Sequence, residues 1–302
     1  MKAVISGGTG FVGSALTEEL LGSGYEVSIL TRNPDKHETR QNVSYIKWLS
    51  EGARPETELN GADIFINLAG ESINSGRWTE ERKKRILKSR IDATREMVRI
   101  LENLENKPSV FINASAIGFY EASESKTHTE QSLDTSSNFL AETVKKWESE
   151  ASRAKDSGVR TVYTRFGIIL GKDEGALPKM ALPYKLFAGG TVGSGKQWMS
   201  WVHIEDIAKA IRFVIENKTI DGPVNITSPS PVTMKELGKT LGDVLNRPHW
   251  IPAPGFAIKA VLGEMSTLIL EGQKVIPEVL KKNGYAFQYP ELKGALQEIY
   301  QK

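Results

Sequence analysis

Residues 3–13 read AVISGGTGFVG, an apolar run that ends in three glycines, Gly7, Gly10 and Gly13, with the amphipathic stretch Ser14 to Leu21 behind them. Strand, glycine turn and helix in that order make a phosphate site. A side chain on the turn would hold a pyrophosphate off the backbone, and the helix start offers unpaired N–H groups and the positive end of its dipole. The residues that would touch the ligand are Gly7, Thr9, Gly10, Phe11, Val12 and Gly13; the competing reading is a tight turn and nothing more. About 20 residues beyond such glycines an NAD site usually carries a carboxylate for the ribose 2′-hydroxyl. Here the second apolar run, YEVSIL, ends instead in Thr31 and Arg32. A guanidinium there can pair with a 2′-phosphate and lie on the adenine, which favours NADP(H) over NAD(H); an ordinary surface arginine is the alternative.

A second glycine loop, GTVGSGK (Gly190 to Lys196), satisfies G-x-x-x-x-G-K, but Gln197 stands where a P-loop needs Ser or Thr for magnesium, and no clear strand precedes it. A substrate flap is the functional reading, with Lys196 and Gln197 for polar groups and Trp198 closing over an apolar or ring-shaped ligand; the bland reading is a hairpin that anchors two domains. His203, with Glu205 and Asp206, invites an acid/base role, but fixing the junction between domains is favoured.

Alternating β-branched runs and amphipathic stretches predict the scaffold for these residues: an α/β protein, a doubly wound parallel sheet of Rossmann type with a smaller C-terminal unit over it. Strands are expected at 2–6, 25–30, 43–48, 63–68, 109–115, 160–166 and 222–227. A long helix is expected at 79–104, capped by Thr79, with Leu87, Ile91, Thr94, Val98 and Leu101 on one face. Further helices are expected at 204–216, 233–245, 255–271 and 274–282. The nucleotide-binding domain would take residues 1–170 plus 201–227, and the smaller substrate or cap domain 171–200 plus 228–302. It would cover the C-terminal edge of the sheet, where open α/β folds bind ligands.

Composition excludes several functions. The chain of 302 residues has 39 Lys and Arg against 37 Asp and Glu, a net charge of +2, with no basic block for nucleic acid. No apolar run has membrane-spanning length, so a soluble protein with no membrane partner is expected. The N-terminal MKAVIS reaches glycine too soon for a secretory signal, which points to the cytoplasm. The absence of cysteine rules out thiolate chemistry, and four scattered histidines make a structural zinc improbable.

The glycine spacing, together with INLAG (Ile66 to Gly70), NASAIGFY (Asn113 to Tyr120), RFGIILG (Arg165 to Gly171) and WVHIEDIA (Trp201 to Ala208), resembles the extended short-chain dehydrogenase/reductase superfamily along nearly the whole chain. RWTEERK (Arg77 to Lys83), SRIDATR (Ser89 to Arg95), GSGKQWMSWVHIED (Gly193 to Asp206), GPVNITSP (Gly222 to Pro229) and LGEMS (Leu262 to Ser266) narrow it to the atypical epimerase family subgroup. The resemblance implies a Rossmann core, NADP(H) at its edge and a C-terminal cap. It places Asn67, Leu68, Ala69 and Gly70 on the nicotinamide side, Arg90 toward the cofactor phosphates or the substrate, and Ser115 near the reacting carbon. It also implies a possible homodimer through the 79–104 and 138–155 helices.

The superfamily's chemistry needs a Tyr with Lys four residues later, the Lys lowering the phenol's pKa. In NFLAETVKKWESE (Asn138 to Glu150), where that pair belongs, only Ala141 precedes a Lys, Lys145, at that spacing; the Tyr289 to Lys293 match is coincidence beside Pro290. Tyr120 is the remaining phenol in a suitable place, a candidate acid/base next to Ser115, although aligning FYE with the family's VYG puts Ala116 at the catalytic hydroxyl. Two readings follow: an NADP(H)-dependent oxidoreductase or epimerase acting on a small-molecule hydroxyl or carbonyl through Ser115 and Tyr120, which is favoured, and a non-catalytic NADP(H)-binding sensor or interaction module.

Overall fold

The computed structural model describes residues 1–38 and 40–301. Its centre is a seven-stranded sheet in which every strand pairing is parallel. The strands are β1 (Lys2–Ser6), β2 (Glu26–Thr31), β3 (Val43–Lys47), β4 (Ile64–Asn67), β5 (Val110–Ala116), β6 (Arg160–Phe166) and β7 (Gly222–Ile226). They lie in the order β7-β6-β5-β4-β1-β2-β3, so the chain reverses direction across the sheet between β1 and β4. That switch point opens a crevice beyond the strand ends, the usual ligand position in such sheets.

Period-two side chains supply two apolar faces. On one, α1 (Phe11–Gly22) and α5 (Ile204–Glu216) bury Leu16, Leu20, Ile207, Ile211 and Val214 against Ile5, Ile66 and Ile112. On the other, Met97, Val98 and Leu101 of α2 (Glu80–Asn103) pack on Phe65 and Phe111, and α3 (Phe139–Ser152) lies beside α2. Truncating a buried phenylalanine of this kind costs about 3–5 kcal/mol. Thr79 caps α2 as its sequence position suggests, its side chain accepting from Arg82 N, but Leu87 and Ile91 are only half-buried while Ile86, Ala93 and Met97 join the core.

The smaller C-terminal unit has its own core, in which α4 (Leu177–Lys185), α6 (Met234–Leu245) and α8 (Leu292–Gln301) gather Leu177, Tyr184, Leu237, Leu241 and Leu296 around Trp201. Helices α4 and α8 are not foreseen, α4 because prolines stand near its start and, at Pro183, inside it. The single helix expected over 255–271 is broken. It ends as α7 (Gly255–Leu262) because Gly263 has φ +58°, a left-handed conformation that favours glycine. The expected 274–282 helix is a two-residue strand, Lys274–Val275, and after Pro277 a short helix, Glu278–Lys282.

Buried carboxylates bind the two units. Asp206 accepts backbone N–H bonds from Gln288 (2.8 Å) and Tyr289 (2.9 Å). Glu130 accepts from Asn225 N (3.0 Å), Val279 N (3.2 Å) and Glu278 N (3.2 Å), tying the edge strand β7 to the C-terminal segment. Burial raises the Glu130 pKa, and those N–H groups act in the opposite direction.

Candidate functional site

Each glycine of the N-terminal loop answers a different geometric demand. Gly7 has φ +71°, and a Cβ there would lie 2.9 Å from the Leu68 backbone. Gly13 packs so closely under the turn that a Cβ would be 2.1 Å from the Gly7 carbonyl oxygen. Gly10, the N-cap of α1, is different: its Cβ would meet only Gly7 O, at 3.3 Å, and no side chain caps the helix. Thr9 and Gly10 are exposed. The turn thus leaves helix-start N–H groups facing open space, the arrangement that receives an anion. Phe11 is a wedge: Cβ atoms on Gly171 and Gly175 would lie 2.5 and 3.0 Å from its ring, so the ring packs on that segment.

At the end of β2, Thr31 Oγ1 accepts from Asn33 N (3.3 Å), and Arg32 is exposed, with no ion pair or side-chain hydrogen bond among the described residues. Its guanidinium is available to a ligand.

Register aligns Ser6 and Asn67, at the ends of β1 and β4, with Asn113 in the middle of β5. Ser6 Oγ donates to Asn67 Oδ1 (2.6 Å), and Asn67 Nδ2 donates to Asn113 Oδ1 (2.7 Å) and Thr94 Oγ1 (3.0 Å). The Asn67 side chain is therefore fully buried and occupied; it fixes the strand ends, while Leu68, Ala69 and Gly70 emerge progressively into the crevice. Arg90 covers Gly70, where a Cβ would lie 3.3 Å from its side chain. Its Nη1 donates to Glu71 O and Ile86 O (both 3.0 Å), its guanidinium carbon lies 5.1 Å from the Trp147 ring centre, and burial lowers its pKa to about 10.

The two hydroxyls expected to do proton chemistry lie elsewhere in the site, inside a buried network. Ser115 Oγ donates to Glu148 Oε1 (2.5 Å), and Arg165 holds the same carboxylate through Nε and Nη2, each at 2.8 Å. Arg165 Nη1 donates to Tyr120 Oη (2.9 Å), which donates to Asn225 Oδ1 (2.8 Å). Tyr120 is 0% and Ser115 2% exposed. Burial raises the Tyr120 pKa against the pull of Arg165. Burial also disfavours the Arg165 charge, but the Glu148 hydrogen bonds and charge prevail and raise its pKa. Both hydroxyls are thus held inside the fold with almost no exposed surface.

The NAD dependent epimerase/dehydratase family model matches residues 3–227, and a domain of unknown function, DUF1731, matches 253–299. The chain belongs to the NAD dependent epimerase/dehydratase family. Over 299 residues it is 49% identical to the epimerase family protein YfhF of Bacillus subtilis, covering 99% of this chain and 98% of that one. An epimerase family protein of Staphylococcus epidermidis is 42% identical over 99% of this chain and 98% of its own length. The crystal structure of the human epimerase family protein SDR39U1, solved with NADPH, superposes with TM-score 0.89 at 33% identity over 100% of both chains. UDP-glucuronic acid 4-epimerase of Bacillus cereus shares the fold, with TM-score 0.79 at 16% identity over 100% of this chain and 98% of that one.

This epimerase-family chain departs from the superfamily at α3. Ala141, four residues before Lys145, is fully buried, and Lys145 pairs with Glu142 (2.5 Å). The 190–198 segment is largely stitched down. Gln197 is buried, its amide donating to Val192 O (3.0 Å) and Ile269 O (2.9 Å) and accepting from Ser194 Oγ (3.2 Å), which leaves nothing for a substrate and corrects the flap reading of that residue. Trp198 Nε1 donates to Glu124 O (2.9 Å), with Lys274 4.5 Å from its ring centre; Ser194 and Lys196 are exposed. His203 serves the junction. Its Nδ1 accepts from Glu205 N (3.3 Å) and its Nε2 faces Glu298 of α8 (3.1 Å), so both nitrogens are used within the His203, Glu205, Glu298 group.

Sequence reading missed a tie between the two units. The 71–79 loop between β4 and α2 is bound to the C-terminal unit. Arg77 donates to Val261 O (3.0 Å) and Ala260 O (3.2 Å), Lys83 pairs with Glu264 (2.6 Å), and Lys179 Nζ donates to Asn74 O (2.5 Å). Arg77 and Lys83 stand in RWTEERK and Glu264 in LGEMS, so two separately recognised motifs meet here.

Proposed function

We propose that this protein binds NADP(H) in preference to NAD(H), along the open turn at Gly10 with the coenzyme's 2′-phosphate on Arg32. The carrying observation is the conjunction of an uncapped helix start over an unfilled glycine turn with an unpartnered arginine at the end of β2. The NADPH bound by the human relative supports it. In this reading Thr9, Phe11 and Val12 flank the turn, and Leu68, Ala69 and Gly70, under Arg90, border the nicotinamide end.

A bound nicotinamide would supply hydride exchange with a hydroxyl or carbonyl carbon. The chain itself supplies no partnering phenol and lysine on α3, and it locks Ser115 and Tyr120 into the fold. The reading that fits best is an NADP(H)-binding module whose coenzyme orders the C-terminal unit for a partner. A second reading, an oxidoreductase or epimerase on a small hydroxyl or carbonyl compound, is favoured by Arg77 and Lys83, which draw the 71–79 loop and the start of α2 against the C-terminal unit.

The experiment is a screen of carbonyl and hydroxyl compounds, nucleotide sugars included, with purified protein and NADPH or NADP⁺. No turnover alongside tight NADPH binding is the result expected for the module. Turnover that disappears in Tyr120→Phe at unchanged NADPH affinity would overturn it and return the phenol to the chemistry.

A further inference from the structure

Ten large apolar side chains are conspicuously exposed, and seven of them, Leu182, Leu186, Phe187, Trp250, Ile251, Phe256 and Val261, belong to the C-terminal unit. None lies on the outward faces of α2 and α3, through which superfamily dimers commonly form. Those faces carry charges paired among themselves, such as Arg95 with Glu150 and Arg99 with Glu56 and Glu96.

Five of the seven gather at the end of α4, and the chain leads from them to Phe256 and Val261. Leu182 on α4 and Leu186, its C-cap, are one turn apart, with Phe187 next in the chain. Trp250 Nε1 donates to Phe187 O (2.8 Å), and Trp250 N and Ile251 N both donate to Gly189 O, so the 250–251 segment lies against the end of α4. From there Ala253 bridges Val192 and the chain enters α7, an apolar helix with no buried residue. Phe256 on it is 78% and Val261 64% exposed, beside a shallow hollow of about 350 Å³ that also includes Lys259 and Leu270. An apolar helix left outside a core marks an interaction surface.

Charge identifies the partner's chemistry. Segments 177–187 and 246–262 contain Lys179, Lys185, Arg247 and Lys259 and no acidic residue. The next acid, Glu264, is paired with Lys83. A two-fold contact between copies through this patch would set like charges against one another. Exposed aromatic and aliphatic side chains with cations beside them suit the boundary between headgroups and acyl chains. We propose that the C-terminal unit rests on an anionic lipid surface, inserting Leu186, Phe187, Trp250 and Phe256 while Arg247 and Lys259 meet the headgroups. Among the described residues no helix is long and apolar enough to cross a membrane. The proposed contact is peripheral and needs no spanning run.

The test is flotation of the full chain with vesicles of equimolar phosphatidylcholine and phosphatidylglycerol, and with phosphatidylcholine alone. Binding to the anionic vesicles, weakened about tenfold or more by Lys259→Glu and by Phe256→Ser at unchanged melting temperature, is the expected result. Absence from the floated fraction, or equal binding to both vesicles, overturns the proposal. So does a wild-type dimer in sedimentation that Phe256→Ser dissociates, since a second copy would then cover the patch.

Discussion

Arg165 Nη1 donates to the Tyr120 hydroxyl across 2.9 Å, and through the rest of its guanidinium it grips Glu148, which also holds Ser115. The strand-end serine and tyrosine that the superfamily signature offers for catalysis are thus joined to one buried ion pair. Both are almost unexposed, and their hydrogen bonds help join β5, β6, β7 and α3.

Tyr120→Phe should therefore act on stability. It removes one hydrogen bond to a charged partner and leaves Asn225 Oδ1 without its donor, a loss of about 1–3 kcal/mol. Thermal melts should show a lower Tm, and nicotinamide fluorescence an unchanged NADPH affinity. An unchanged Tm would remove the phenol from the network.

Glycine substitutions should separate packing from binding. In Gly13→Ala the new methyl meets Gly7 O at 2.1 Å, so the variant should melt lower and bind coenzyme poorly. In Gly10→Ala the φ of −88° suits alanine and the nearest atom is 3.3 Å away, so Tm should hold while NADPH affinity falls tenfold or more, the methyl standing where the phosphate approaches. Equal effects of the two on Tm would contradict these roles.

Acid should weaken the fold through its histidines. Burial lowers the pKa of His128, His203 and His249. As pH falls below the ordinary value near 6.5, the unfolded chain takes up protons before the folded one, so stability drops until the lowered folded pKa values are passed. Glu130, with its pKa raised, has the opposite sign, and its contribution is the same in wild type and in a histidine variant. His203→Gln keeps a donor for Glu298 and should show a smaller fall in Tm between pH 7 and 5.5. An equal fall in both proteins would mean that His203 does not contribute.

Much of the sheet was legible because each strand is a short β-branched run closed by a turn, as VISGG and NLAG show, and β1 to β7 fall within a residue or two of their expected bounds. The helix after Thr79 was legible from its cap and period. The C-terminal unit was not, since Pro183, Gly263 and Pro277 divide it into pieces whose partners lie far along the chain. In the site, the tight glycine turn and the exposed Arg32 after β2 could be read locally. The capture of Tyr120 could not, because Arg165 and Asn225 reach it only through sheet pairing, 45 and 105 residues away. Glu130 carries no local signal at all. Its function comes from β7 and residues 278–279 arriving beside it.

The central claim is tested most directly by titrating wild type and Arg32→Ala with NADPH and with NADH. Loss of a charge-assisted pair to the 2′-phosphate costs about 1.5–3 kcal/mol. Wild type should bind NADPH more tightly than NADH, and Arg32→Ala should weaken NADPH by roughly ten- to a hundredfold with little change for NADH. Equal weakening of both coenzymes, or wild-type binding of neither, would contradict the account.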